Sequence, residues 1–138
     1  MRPSTAKVVR SLLFPACGVP APLTWLLTEF RLIVNMSIRI ALAQDIRSRY
    51  GLTKAADGDL SREHRVYKQY IPSAFEVAMG ALKNYRRRVR KGQRTRQPYL
   101  HRLMLKAENQ SYRLDRETGR LRIPIRAGEH VELDLPLS

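Results

Sequence analysis

The sequence predicts an α+β fold in which helices interrupt a small antiparallel sheet. Three observations predict it. Leu23, Leu26, Leu27, Phe30, Ile33 and Val34 recur at helical spacing. Phe75, Ala78, Met79, Leu82, Tyr85 and Val89 form a second stripe of the same period. After Pro98 the period drops to two: Leu121, Ile123 and Ile125 alternate with Arg120, Arg122 and Pro124, and Val131, Leu133 and Leu135 with Glu132, Asp134 and Pro136. A length of 138 residues fits one compact domain, or one domain with a small insert.

Taken in order, residues 7–14 are β-branched and apolar enough for a first strand, which stops at a proline- and glycine-containing connector over 15–22. Pro22 suits a first helical position. The helix it opens is expected to reach Tyr50, either unbroken over about 40 Å at ~1.5 Å per residue or with a break near Asn35–Ser37, and Gly51 is its expected stop. Residues 51–60 read as a polar linker, with Asp57-Gly58-Asp59 as a turn, and Ser61 to Tyr70 as a short helix. Ser73 and Glu76 have the spacing of a capping box opening the helix that runs to Gly92. Strands are expected at about 101–106 and 110–114, followed by a turn at 115–119. For the last hairpin, a three-residue loop Arg126-Ala127-Gly128 with Gly128 left-handed pairs Ile125 with Glu129. It also sets Ile123 opposite Val131, Leu121 opposite Leu133, Arg122 opposite Glu132 and Arg120 opposite Asp134. A one-residue slip would place Ile123 against Glu132.

Charge narrows the partners. Lys and Arg number 26, of which 20 are Arg, against 12 Asp and Glu, for a net charge of +14. With 43% hydrophobic residues this is no disordered basic tail. Nucleic acid is the default partner and an anionic membrane surface its competitor. The single cysteine, Cys17, excludes an intramolecular disulfide. The N-terminus imitates a signal peptide, but Arg10 and Pro15 leave no sufficient apolar run. Glu29, Arg31 and Arg39 interrupt the apolar stretch from Leu23 to Ala43, so it reads as a soluble helix rather than a span. A cytoplasmic location and no membrane partner are expected.

The charge is concentrated. Between Val77 and Ala107 stand Lys83, Arg86, Arg87, Arg88, Arg90, Lys91, Arg94, Arg96, Arg102 and Lys106, with no acid among them. Guanidinium forks match phosphate oxygens, and several such contacts give affinity that falls steeply with salt. The bland alternative is a solvated helix end favoured by the macrodipole. Ten uncompensated charges repel one another unless an anion is present, which favours phosphate contact. Tyr99 could stack on a base, whereas Tyr85 lies on the apolar stripe. Arg120 and Arg122 have cross-strand acids to pair with, and Arg126 is freer. Enzyme signals are weak. His64, His101 and His130 lack metal-ligand spacing, the acids form no metalloprotease pattern, and Ser11, Ser37 and Ser73 sit in no nucleophile elbow. No catalytic residue, metal or cofactor is expected.

The order of elements resembles the N-terminal part of the TnpB-type transposon-encoded proteins, the OrfB transposases related to compact type V CRISPR effectors. The residues that carry the resemblance are Leu13-Phe14-Pro15, Asn35 in the first helix, and Ile71-Pro72-Ser73 opening the arginine-rich helix. Gly92 to Pro98 follows, then Gln110 to Leu114, Gly119 to Ile125 and Gly128 to Leu135. The resemblance implies an oligonucleotide-binding-like β-barrel built from a first strand in 1–16 and the strands of 97–138. Residues 17–21 are its connector, and a helical recognition lobe over 22–96 is inserted. It further implies binding of guide RNA and guide–target duplex by backbone contacts and shape. Such proteins continue into a nuclease domain with clustered carboxylates that hold two metal ions. This chain stops at Ser138, where that domain would begin, so no cleavage by it alone is expected, and a separately encoded nuclease half is a possible partner.

The sequence thus predicts a nucleic-acid-binding, transposon-derived protein, with RNA favoured over DNA. Its candidate contacts are Lys83, Arg86, Arg87, Arg88, Arg90, Lys91, Arg94, Arg96, Tyr99 and Arg102. The rivals are a DNA-binding regulator placing helix 73–91 in a major groove, and a basic structural protein bound to ribosomes or to a membrane surface.

Overall fold

Pro20 and Pro22 set the entry to the first helix. Pro20 is extended (φ −59°, ψ 144°), its carbonyl accepts from the amides of Leu23 and Thr24 at 3.0 Å, and Pro22 needs no amide partner in the first turn. In the computed structural model, which describes residues 19–108 and 111–135, this helix is α1 (Ala21–Gln44). It is followed by α2 (Arg49–Glu63), α3 (Tyr70–Arg90), β1 (Arg113–Leu114), β2 (Arg120–Arg126) and β3 (Glu129–Asp134). The strands form an open antiparallel sheet in the order β1-β2-β3. The α+β class is therefore present. The expected first strand over 7–14 lies outside the described residues.

Two helix boundaries differ from expectation. Rather than running to Tyr50, α1 closes at Asp45, which adopts the left-handed conformation (φ 52°), and both Asp45 and Ile46 donate their amides to Ala41. Gly51 is then not a stop but part of the first turn of α2, its amide held by the Ser48 side chain at 3.0 Å. A Cβ at position 51 would stand 2.8 Å from the Ile46 methyl Cγ2, so close packing requires the glycine. The expected polar linker 51–60 is helical because Leu52, Ala56 and Leu60 recur every four residues and are all buried. Asp57-Gly58-Asp59 is accordingly helix surface, with Asp57 near Ser61 and Asp59 paired to Arg62, not a turn. The expected short helix over 61–70 is instead the end of α2, a connector and the start of α3.

The third helix begins three residues before the expected capping box. Tyr70 and Ile71 are buried and draw the chain into helix early. Ser73 therefore sits inside the first turns, where its hydroxyl donates to the Gln69 carbonyl, and Glu76 is an ion-pair partner rather than a cap. The buried stripe ends at Leu82; Tyr85 is half-buried and Val89 exposed. Gly92, at φ 71°, ends the helix as its position predicts.

The hairpin register holds from Arg120↔Asp134 through Ile123↔Val131, but the turn is tighter than expected. Arg126, not Ile125, faces Glu129, and Ile125 is the extra residue of a bulge. Ile125 stays on the inward face with Ile123 and is fully buried, and its carbonyl accepts from the Tyr67 amide at 2.9 Å. Beside it the buried Tyr70 hydroxyl donates to the Pro124 carbonyl at 2.6 Å. Ile123 and Ile125 thus share one core with Leu26, Phe30, Leu60, Tyr70 and Phe75.

Candidate nucleic-acid interface

A helical repeat of about 100° per residue places Lys83, Arg87 and Arg90 on α3 away from the stripe of Ala78 and Leu82, Arg86 at the edge of that stripe and Arg88 on the far flank, with Lys91 as the C-cap. All but Arg86 are exposed. Three of these arginines, Arg87, Arg88 and Arg90, occupy the last turn of α3, where the helix dipole favours positive charge.

Arg86 is set apart by its neighbours. Its side chain is 17% exposed, and its guanidinium lies 3.5 Å from the Ala41 carbonyl and 4.0 Å from Asp45. It therefore bridges α3 to the end of α1, on the carbonyl that also receives the closing amides of Asp45 and Ile46. Lys106 pairs with Glu76 at 2.9 Å. Lys83, Arg87, Arg88, Arg90, Lys91, Arg94, Arg96 and Arg102 have no carboxylate partner among the described residues.

Beyond Gly92 the chain runs without helix or strand as far as residue 108. The strand expected at 101–106 does not form. Side chains of α1 replace a partner strand: Asn35 accepts from the Leu100 amide at 2.7 Å and donates to the Leu100 carbonyl at 3.1 Å, and Arg31 donates to the His101 carbonyl at 2.9 Å. Leu100 and Leu105 pack on the core. Held this way, the strap presents Arg94, Arg96 and Arg102 to solvent together with Tyr99, which is 59% exposed. The Tyr99 and His101 rings stand 4.7 Å apart, forming an exposed aromatic pair beside the cations. The second expected strand is reduced to β1, with residues 109–110 outside the described set.

Two arginines that charge counting alone did not single out join this surface. Arg47 and Arg49, at the corner between α1 and α2, line a groove of about 420 Å³ with Ser48, Met79, Lys83, Arg86 and Arg90. Sequence separation concealed them, because the corner was expected inside a continuous helix. The hairpin arginines are engaged: Arg120 contacts Glu132 at 3.5 Å and Asp134 at 3.4 Å. Arg122 turns to His130 at 3.1 Å rather than to its cross-strand neighbour Glu132. Arg126, expected to be freer, is held by Glu129 at 2.8 Å and stacks over Trp25 at 4.6 Å. Among the described residues no group of three or more His, Cys, Asp or Glu side chains could hold a metal ion, and no helix is long and apolar enough to cross a membrane.

Residues 26–124 match the family described as "Uncharacterized protein MJ0013 family". The chain belongs to this family. The matched span runs from the middle of the first turns of α1 to Pro124, so every basic residue of the surface just described falls inside the MJ0013 family region. No curated protein and no solved structure matches the chain.

Proposed function

We propose that this protein binds nucleic acid, RNA in preference to DNA, by gripping phosphates with the C-terminal half of α3 and the strap that follows. The observation that carries the reading is the acid-free run Lys83 to Arg102, whose basic members, Arg86 apart, are exposed and without a carboxylate partner among the described residues. Such a surface is self-repulsive until an anion neutralises it. The exposed Tyr99–His101 pair favours a strand with unpaired bases, since a ring can stack on a base only when that base is accessible. The first half of α3 (Tyr70, Ile71, Ala74 and Phe75) is buried. This weighs against a groove-reading regulator, because recognition helices contact bases with their N-terminal residues.

The resemblance to TnpB-type proteins gives the reading its biological form: a transposon-derived protein that holds a guide RNA or guide–target duplex, working in the cytoplasm. Asn35, one of the residues that carry the resemblance, is the side chain that pins the basic strap. Fluorescence anisotropy with single-stranded RNA, single-stranded DNA and duplex DNA of one sequence tests the reading. Tightest binding is expected for RNA, lost in large part when Arg87, Lys91 and Arg94 are all replaced by Gln. Failure of the wild-type protein to bind any of the three would overturn it.

A further inference from the structure

The groove between the α1–α2 corner and α3 differs in kind from the convex ridge beside it. We propose that it is a phosphate seat, a discrete site for one phosphate group of the bound strand; this rests on the nucleic-acid reading above. Two elements far apart in sequence build it. The left-handed turn at Asp45 brings Arg47 and Arg49 to one wall, and Lys83, Arg86 and Arg90 recur along the other at spacings of three and four on a single face of α3.

Five cations line a groove of about 420 Å³, and no carboxylate does. The nearest acids stand outside and hold the arginines in place: Asp45 lies 3.1 Å from Arg47 and 4.0 Å from Arg86, and Glu76 lies 2.7 Å from Arg49. An arginine so anchored keeps donors to spare, because a guanidinium carries five N–H groups and one carboxylate contact uses at most two. Lys83 and Arg90 have no carboxylate partner among the described residues and are the charges left for a ligand to neutralise. The Ser48 oxygen accepts from the Gly51 amide, which leaves its O–H able to donate into the groove beside the side-chain charges. Clustered cations in a concave wall suit a tetrahedral anion that several donors can reach at once. An internal diester and a strand-terminal monoester share that chemistry and differ in charge.

The test uses the full chain and a Lys83→Gln/Arg90→Gln variant, neither residue being engaged in an ion pair the fold needs, with unchanged ligand-free melting as the check on folding. The probes are inorganic pyrophosphate and one RNA sequence with a 5′-hydroxyl or a 5′-phosphate. Pyrophosphate is expected to raise the melting temperature of the wild type and not of the variant. RNA affinity is expected to fall at least about tenfold in the variant, as loss of charge-assisted contacts implies. A wild-type preference for the 5′-phosphorylated RNA that disappears in the variant assigns the seat to a strand end. Equal losses for both RNAs assign it to an internal phosphate. Wild-type-like binding of RNA and pyrophosphate by the variant would overturn the seat while leaving the nucleic-acid reading standing. Pyrophosphate stabilisation of the wild type alone, with no RNA binding by either protein, would keep the seat and remove that reading.

Discussion

Asn35 of α1 satisfies both backbone groups of Leu100, sixty-five residues later, accepting from its amide at 2.7 Å and donating to its carbonyl at 3.1 Å. One carboxamide thus does what an adjacent β-strand would do, and it fixes the path of the basic strap across the helices. The asparagine is 5% exposed, so its removal leaves both groups of Leu100 without that partner where water has little access.

Asn35→Ala is therefore expected to cost about 2 kcal/mol or more of unfolding free energy. Asn35→Asp should be no better, because the donor to the Leu100 carbonyl is replaced by an acceptor. Urea unfolding measures the cost. Hydrogen exchange at the Leu100 amide should accelerate in both variants, and RNA affinity should fall with it, since Arg96, Tyr99 and Arg102 lose their common support.

Glycine to alanine inside a helix ordinarily stabilises by about 1 kcal/mol. At Gly51 the sign should reverse, because the new methyl would meet Ile46 Cγ2 at 2.8 Å. Gly51→Ala should lower the melting temperature, and Ile46→Ala in the same chain should recover part of the loss. Additive penalties in the double variant would show that the two residues do not meet as described.

Asp115 accepts from the amides of Glu117 at 2.9 Å and Thr118 at 3.4 Å, and these hydrogen bonds hold its carboxyl below the usual carboxylate range. Folding therefore favours the ionised form. Its contribution to stability is present above the unfolded-state value of about 3.9 and is lost as pH falls through the lower folded-state value. The stability gap between wild type and Asp115→Ala should be constant from about pH 5 upward and narrow below about pH 4. Denaturant titrations across that range check it.

How far the sequence disclosed this molecule depends on how many residues carry each signal. The six-residue stripe of α1, that of α3 as far as Leu82, and the alternation of β2 and β3 were legible, down to the pairing of Ile123 with Val131. The second helix was not, because only Leu52, Ala56 and Leu60 mark its buried face, and Gly51 before them and Asp57-Gly58-Asp59 among them look like loop. The α3 start was misplaced because Ser73 and Glu76 satisfy a local pattern that the burial of Tyr70 and Ile71 overrides. The basic block was legible as charge. The left-handed turn at Asp45 was not, and so Arg47 and Arg49 could not be placed beside Lys83 and Arg90.

If the exposed cations of α3 and the strap grip phosphates, RNA binding must weaken steeply with salt. The logarithm of the affinity for a single-stranded RNA should fall linearly with the logarithm of salt concentration. Its slope should be shallower by about 2 in the Arg87→Gln/Lys91→Gln/Arg94→Gln protein, at ~0.7 per lost phosphate contact. An unchanged slope and unchanged affinity in that triple variant would contradict that grip.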